Sequence, residues 1–276
     1  MQSATPSRAT DTPTIVTIGD SHSKFFGPPK YFAGRAGLRT PLRYTIEPNP
    51  ISAASVAGFR PGVSTLDVKT KVHQALTGAS MAILSFGQVD LELGLYYRRA
   101  VKGEEWEAEQ YAAWLAEIYA NFLDSLDLSG TRIAVKGVNL TALRPRQFAI
   151  RYISRIVTKD EGQTQAERNA SVAPHMLSEP EQNRLHLSFN DKVRIAAEAR
   201  GFGYFDLVRE TSEEADTGSV TPRLGENFLT AAFDHHLADT IPVRRMHYEA
   251  AGKVFGIRTD DLRAAQPVSA GRGRRG

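Results

Sequence analysis

The stretch Thr14-Ile-Val-Thr-Ile-Gly-Asp-Ser-His-Ser23 decides how the rest of the chain is interpreted. Its first residues are β-branched, which is typical of a strand buried on both faces of a sheet. Gly19 then permits a sharp turn, because glycine adopts backbone conformations that other residues resist. Ser21 is therefore predicted just past the end of a central strand, where open α/β sheets bind ligands and a hydroxyl is well placed as a nucleophile. Small polar residues after a strand are also ordinary turn chemistry.

The remaining elements alternate along the chain, which predicts a parallel, doubly wound sheet. After the strand that begins at Thr14, the expected strands are Leu42 to Ile46, Ala79 to Phe86, Thr131 to Val138 and Gly203 to Val208. The expected helices are Lys24 to Gly37, Thr65 to Leu76, Glu104 to Leu126, Pro180 to Arg200 and Pro242 to Gly256.

Composition indicates one domain with a sizeable core, because 41% of the 276 residues are hydrophobic. We expect this domain to span residues 14 to 257, between flexible ends at residues 1 to 13 and 258 to 276. The last of these segments holds five arginines and two aspartates, which supply the whole net charge of +3. A neutral body argues against a nucleic-acid partner. Without cysteine, a signal peptide or a long apolar run, the chain is expected to be cytoplasmic and not a membrane protein.

A second stretch, Phe233-Asp234-His235-His236-Leu237, places a carboxylate beside two imidazoles. A serine nucleophile needs a base and a group that orients the base, and this stretch offers both. A metal is the alternative, since the same side chains are metal ligands. Adjacent residues of an extended segment point in opposite directions, however, so we expect no shared metal and no cofactor.

A serine near one end with aspartate and histidine near the other resembles the SGNH/GDSL hydrolase family, whose further blocks have counterparts at Gly58 and at Gly87-Gln88-Val89-Asp90. The Gly-Asp-Ser-His-Ser reading is similar to a branch associated with polysaccharide biosynthesis. The resemblance implies a flavodoxin-like three-layer α/β/α sandwich with a parallel five-stranded sheet.

The resemblance also implies roles for single residues. The amides of Ser21 and Gly58 would bind the oxyanion. Val89 stands where the family usually has an asparagine, and the side-chain amide of Gln88 is a candidate replacement. Leu237 marks His236 as the base, although the family's aspartate, three residues earlier, is Phe233 here. Either Asp234 orients His236, or His235 is the base, or the site has lost part of its dyad.

A long connection, residues 139 to 179, is predicted to be an insertion with a function of its own. Its first part, Arg144 to Lys159, has the spacing of a basic amphipathic helix, while Gln163 to Glu181 is polar and expected to be mobile. The helix is expected either to close over the strand ends as a lid or to present a solvated basic face. Asp90, Arg146 and Arg151 are the expected substrate-binding residues.

Three functions remain open at this point, and the substrate class in each comes from the resemblance. The first is a serine hydrolase that removes an acyl group, such as acetyl, from a carbohydrate through an acyl-enzyme. The second is a non-catalytic module that binds a carbohydrate or a partner. The third is a sugar O-acyltransferase. The sequence predicts neither the oligomeric state nor the identity of the ester.

Overall fold

A computed structural model describes residues 12–27, 44–62, 66–126, 128, 130–158, 162–213, 221–230 and 234–257. Five parallel strands form one sheet in the order β2-β1-β3-β4-β5. These strands are β1 (Thr14–Gly19), β2 (Thr45–Pro50), β3 (Met81–Ser85), β4 (Arg132–Lys136) and β5 (Gly203–Phe205). The predicted parallel five-stranded sheet is confirmed.

Helices cover both faces of this sheet, because successive strand residues point to opposite sides. On one face, Val16 and Leu84 pack against α1 (Val68–Leu76), α2 (Ala108–Asp124) and α5 (Glu179–Glu198). On the other face, Ile15 and Ile83 pack against α7 (Ile241–Val254). The result is the predicted three-layer α/β/α sandwich. The other helices are α3 (Arg146–Val157), α4 (Gln165–Val172) and α6 (Val208–Thr211), and β6 (Ser212–Glu213) pairs with β7 (Arg223–Leu224).

The second strand runs further along the chain than predicted. Of the expected strand Leu42 to Ile46, residues 42 and 43 lie outside the described residues, and β2 runs from Thr45 through two prolines to Pro50. Proline lacks the N–H that a central strand donates, so it is unfavourable in such a strand. Because β2 is the edge of the sheet, it needs hydrogen-bond partners on one side only.

The insertion is more ordered than expected. The predicted amphipathic helix is present as α3. The segment Gln163 to Glu181, expected to be mobile, instead contains α4 and a 3-10 turn at Ala173–His175. Helix α4 is fixed at its start by a capping box between Thr164 and Glu167, a device that satisfies otherwise unpaired helical N–H groups.

Several expectations lie outside the described residues. These are the flexible ends at 1–11 and 258–276 and the part of the predicted helix Lys24 to Gly37 that follows Gly27. The described part of that helix is a 3-10 segment, Ser21–Phe26. Among the described residues, no helix combines the length and the apolar character that crossing a bilayer requires.

Candidate active site

Ser21 is the first residue of the 3-10 segment that follows β1. The turn before it is tight, because a Cβ on Gly19 would lie 2.2 Å from the carbonyl oxygen of Ser85 at the end of β3. Asp20 caps the segment through Oδ1, which accepts the backbone N–H of His22 at 2.9 Å. The strand, the glycine and the cap together hold the Ser21 hydroxyl at the carboxyl edge of the sheet.

The expected contact between Ser21 and His236 is present. His236 Nε2 lies 2.9 Å from Ser21 Oγ, and its Nδ1 lies 3.2 Å from Asp234 Oδ1. The same carboxylate oxygen accepts the backbone N–H of His236 at 2.7 Å. Asp234 therefore orients the ring from two residues away, because a turn brings the carboxylate back to the backbone and to the imidazole. This network assigns a proton to Nδ1 and leaves Nε2 as the acceptor for the serine hydroxyl.

The surroundings of the pair favour a neutral imidazole beside an ionised carboxylate. Burial is the main cause that lowers the pKa of His236 to about 4, with smaller contributions from His22 and His235. Burial alone would raise the pKa of Asp234, but hydrogen bonds from the ring and backbone of His236 bring it to about 2. At neutral pH the imidazole is therefore unprotonated, and its Nε2 lone pair is available to accept the serine proton.

His235 packs against Glu92 and His22. Its Nδ1 lies 3.3 Å from Oε2 of the buried Glu92, and its backbone carbonyl accepts a hydrogen bond from His22 Nε2 at 3.0 Å. The argument that neighbouring histidines point apart is wrong here, because residues 234–236 form a bend. The ring centroids of His235 and His236 lie 4.4 Å apart.

The sequence interpretation missed His22 and Asp20. The His22 ring stacks on the His236 ring at 4.3 Å with planes 25° apart, and its Nδ1 lies 3.1 Å from Asp20 Oδ1. Asp20 and His22 thus repeat the geometry of Asp234 and His236. The repeated Asp-x-His spacing was the available signal.

Two expected oxyanion donors, Gly58 and Gln88, have hydrogen-bond partners within the protein. The N–H of Gly58 donates to Ser55 within a 3-10 turn, to the carbonyl oxygen and to Oγ at 3.1 Å each. The side chain of Gln88 is used twice by the backbone of Asn139, at 2.8 Å and 3.2 Å. The amide of Ser21 remains, at a helix position where an N–H has no partner within the helix.

Two of the expected substrate-binding residues, Asp90 and Arg146, also have partners within the protein. Asp90 is buried and accepts the N–H groups of Val56 at 2.7 Å and Ala57 at 3.1 Å, so it holds a turn. Burial raises its pKa to about 7, against these two hydrogen bonds. Arg146 donates to two backbone carbonyls that follow α4, while Arg151 is exposed on α3.

A cavity of about 310 Å³ lies beneath α3 and reaches the site at Glu92. Its lining mixes charged groups, including Arg144 and Arg146, with apolar side chains such as Ile153 and Met176. Arg144 is held by Glu179 and Glu226 at 3.0 Å and 2.9 Å. Arg146 thus borders this cavity, and Arg151 is not among the residues that line it.

No protein-family model matches the chain, and no curated protein matches it in sequence. Solved structures do match. Its structural neighbours are SGNH and GDSL hydrolases. TesA is 12% identical with a TM-score of 0.43, and the match covers 88% of this chain and 98% of that one. A GDSL-like lipase from Bacteroides thetaiotaomicron is 11% identical with a TM-score of 0.43, covering 88% and 89%.

A protein of Slackia heliotrinireducens assigned as an SGNH hydrolase is 12% identical, with a TM-score of 0.42 and coverage of 89% and 100%. Because the identities and TM-scores are low, the roles of residues rest on the geometry of this chain alone.

Proposed function

We propose that this protein is a serine esterase in which Ser21 is the nucleophile and His236 the general base. The observation that supports this most strongly is the continuous chain of contacts from Ser21 Oγ to His236 and on to Asp234, at 2.9 Å and 3.2 Å. A base within about 3 Å of a hydroxyl, held by a carboxylate on its other nitrogen, is the arrangement that activates a serine.

The reaction follows from these positions. The Ser21 oxygen attacks the ester carbonyl carbon while its proton moves to His236 Nε2, and the carbonyl oxygen becomes an oxyanion beside the Ser21 amide. The intermediate collapses as the carbon–alkoxy bond breaks, and His236 returns the proton to the departing alcohol. A water molecule then repeats the sequence on the acyl-serine, which releases the acid and restores the hydroxyl.

A fluorophosphonate probe tests this proposal, because it modifies only serines that are activated as nucleophiles. We expect one label per chain on the peptide that contains Ser21, and none in Ser21→Ala. Ser23→Ala is the matched control: its hydroxyl donates to the carbonyl oxygen of Asp20 within the same turn, so labelling should persist. A folded, unmodified protein that takes no label rejects the esterase.

For the substrate, the proposal is a short acyl group, such as acetyl, on a carbohydrate. The Gly-Asp-Ser-His-Ser resemblance supports this class. The neighbouring cavity offers both charged groups for sugar hydroxyls and apolar side chains for an acyl group. We expect kcat/KM to fall as the acyl chain of a p-nitrophenyl ester lengthens, and an acetylated sugar to compete with it. A preference for long chains would contradict this choice.

The hydrogen bonds of Gly58 and Gln88 favour a second candidate, a binding module without turnover. The amide of Gly58 and the side chain of Gln88, the candidate replacement for the family's asparagine, are both occupied by other groups. In that case the labelling experiment fails, whereas binding of an acylated sugar remains measurable by calorimetry.

A further inference from the structure

Three imidazoles pack against one another at the carboxyl edge of the sheet. His22 lies 4.3 Å from His236 and 4.5 Å from His235 between ring centroids, and the latter two are 4.4 Å apart. One ring nitrogen from each of the three lies within 4.8 Å of the others. The proposed esterase needs only His236, so this clustering exceeds what that chemistry requires.

Each ring also has a carboxylate behind it, on the Nδ1 side. The carboxylates belong to Asp20, Glu92 and Asp234, at 3.1 Å, 3.3 Å and 3.2 Å from Nδ1 of His22, His235 and His236, respectively. Histidines that bind a metal usually donate their other nitrogen to a carboxylate, which fixes the tautomer and orients the ring. Asp20 and Asp234 are such partners for His22 and His236, whereas Glu92 lies 3.3 Å from His235 Nδ1 without a formed hydrogen bond.

The carboxylates lack sufficient partners of their own. Glu92 is 0% exposed and Asp20 1%, and within the described residues both oxygens of Glu92 and Oδ2 of Asp20 accept no hydrogen bond. With neutral imidazoles the three carboxylates carry three negative charges, and Lys136 and Lys24 act electrostatically on Asp20 and Asp234. The charged partners that act on the buried Glu92 are histidines. Buried charges are generally paired or bound to metal, so a cation among the rings would offset the charge of Glu92.

We propose that His22, His235 and His236 bind one divalent transition cation, with Zn²⁺ as the reference ion. Tetrahedral Zn²⁺ with bonds of about 2.1 Å sets its ligand nitrogens roughly 3.4 Å apart and the ring centroids roughly 5 Å apart. From their present stacked packing, the rings must therefore move apart and turn their nitrogens toward one point. His22 gives up its hydrogen bond to the carbonyl oxygen of His235, and His236 gives up Ser21. The fourth position then faces Ser21.

This site regulates the proposed esterase and in that respect rests on the proposed function. The lone pair of His236 Nε2 cannot bind a cation and accept the serine proton at once. Bound metal therefore silences the nucleophile, and its removal restores it.

Binding is measured without reference to activity, by titrating chelator-treated protein with Zn²⁺ against a chromophoric indicator. We expect one Zn²⁺ per chain. The affinity should fall by about 10- to 100-fold in Glu92→Gln, because the carboxylate of Glu92 lies beside His235 Nδ1. It should fall further in His22→Gln, which removes a ligand. His175→Gln, on the 3-10 turn after α4, controls for the loss of any one imidazole and should bind normally. Circular dichroism confirms folding, and His235→Gln serves if His22→Gln unfolds. Equal affinity in the ligand variants and the unmodified protein overturns the site.

Fluorophosphonate labelling with and without Zn²⁺ separates the two proposals. We expect Zn²⁺ to block the label and EDTA to restore it in the unmodified protein, while labelling of His22→Gln, whatever its level, ignores Zn²⁺. Labelling without Zn²⁺ binding overturns the metal site and leaves the esterase standing. Zn²⁺ binding without any labelling of metal-free protein does the reverse. Zn²⁺ that binds but leaves labelling unchanged is not held by His236, which overturns the three-histidine site.

Discussion

Asp234 holds the His236 ring through one carboxylate oxygen that also accepts the backbone N–H of His236. In Asp234→Asn, the side-chain amide can present N–H to the ring and favour the tautomer in which Nε2 carries the proton. That tautomer cannot accept the Ser21 proton. We expect kcat to fall by about 10³- to 10⁴-fold with little change in KM, measured on a p-nitrophenyl ester.

The matched control for this change is Asp124→Asn, on the exposed end of α2, where the carboxylate pairs with Arg200. It should leave kcat unchanged. An unchanged kcat in Asp234→Asn itself would mean that Asp234 does not orient the base.

Gln88 joins the segment after β3 to the segment after β4. Its side-chain oxygen accepts the backbone N–H of Asn139, and its side-chain nitrogen donates to the carbonyl oxygen of Asn139. Gln88→Glu replaces a donor with a buried carboxylate beside a carbonyl oxygen. We expect the free energy of unfolding to drop by about 2 to 4 kcal/mol in a urea titration. Gln74→Glu, on the exposed surface of α1, is the control and should change little. A Gln88→Glu protein that keeps full stability yet loses kcat would return Gln88 to the oxyanion site.

The candidate site residues were visible in the sequence as types, but most of their partners were not. The contacts of Ser21, Asp234 and His236 could be expected because a nucleophile and its base must both follow the sheet. The hydrogen bonds of Gln88 and Gly58 could not be predicted because an amide donor suits an oxyanion and a protein oxygen equally well, and only the fold decides which is near.

At the scale of elements, long apolar runs predicted β1, β3 and β4 closely, since a buried strand requires them. The sequence pattern failed at β2, where the sheet does not require a backbone N–H donor from every residue. The edge position of β2 tolerates Pro48 and Pro50, which a central strand would not.

The 3-10 turn Val56–Phe59 depends on Asp90, whose carboxylate accepts the two N–H groups at its start. In Asp90→Asn one acceptor oxygen becomes an N–H₂ group that faces a buried N–H. We expect a loss of about 1 to 3 kcal/mol in the free energy of unfolding, measured by urea titration, while KM is unaffected.

Asp67→Asn is the matched control, because Asp67 is exposed before α1 and its side chain makes no cap hydrogen bond. It should shift stability by less than about 0.5 kcal/mol. A raised KM in a fully stable Asp90→Asn would show that Asp90 contacts substrate after all.

At the scale of the whole molecule, the titration of His247 makes the folding stability depend on pH. It lies fully buried in α7 against Phe25 and Phe26, and burial is the main cause that lowers its pKa to about 3. In the unfolded chain the His247 imidazole binds a proton near pH 6.5, whereas in the folded chain it stays neutral down to a much lower pH. The stability from a neutral His247 is therefore present above pH 6.5 and declines as pH falls toward 3.

We expect His247→Met to flatten this decline, which amounts to at most about 1.4 kcal/mol per pH unit. Thermal unfolding followed by circular dichroism between these pH values measures the slope. His73→Met, on α1, controls for the loss of one histidine. Parallel slopes for His247→Met and the unmodified protein would show that His247 is not the group responsible.

The hydrogen bond between Ser21 and His236 joins residues 215 positions apart in the chain. A ribosome adds about 5 to 20 residues per second, so Ser21 is synthesised well before His236. Closing so long a loop is also slow, because its entropy must be lost before the contact repays it. In a growing or half-folded chain, Ser21 therefore lacks its base and is unreactive. The time at which Ser21 becomes reactive during refolding thus reports when the last part of the fold forms.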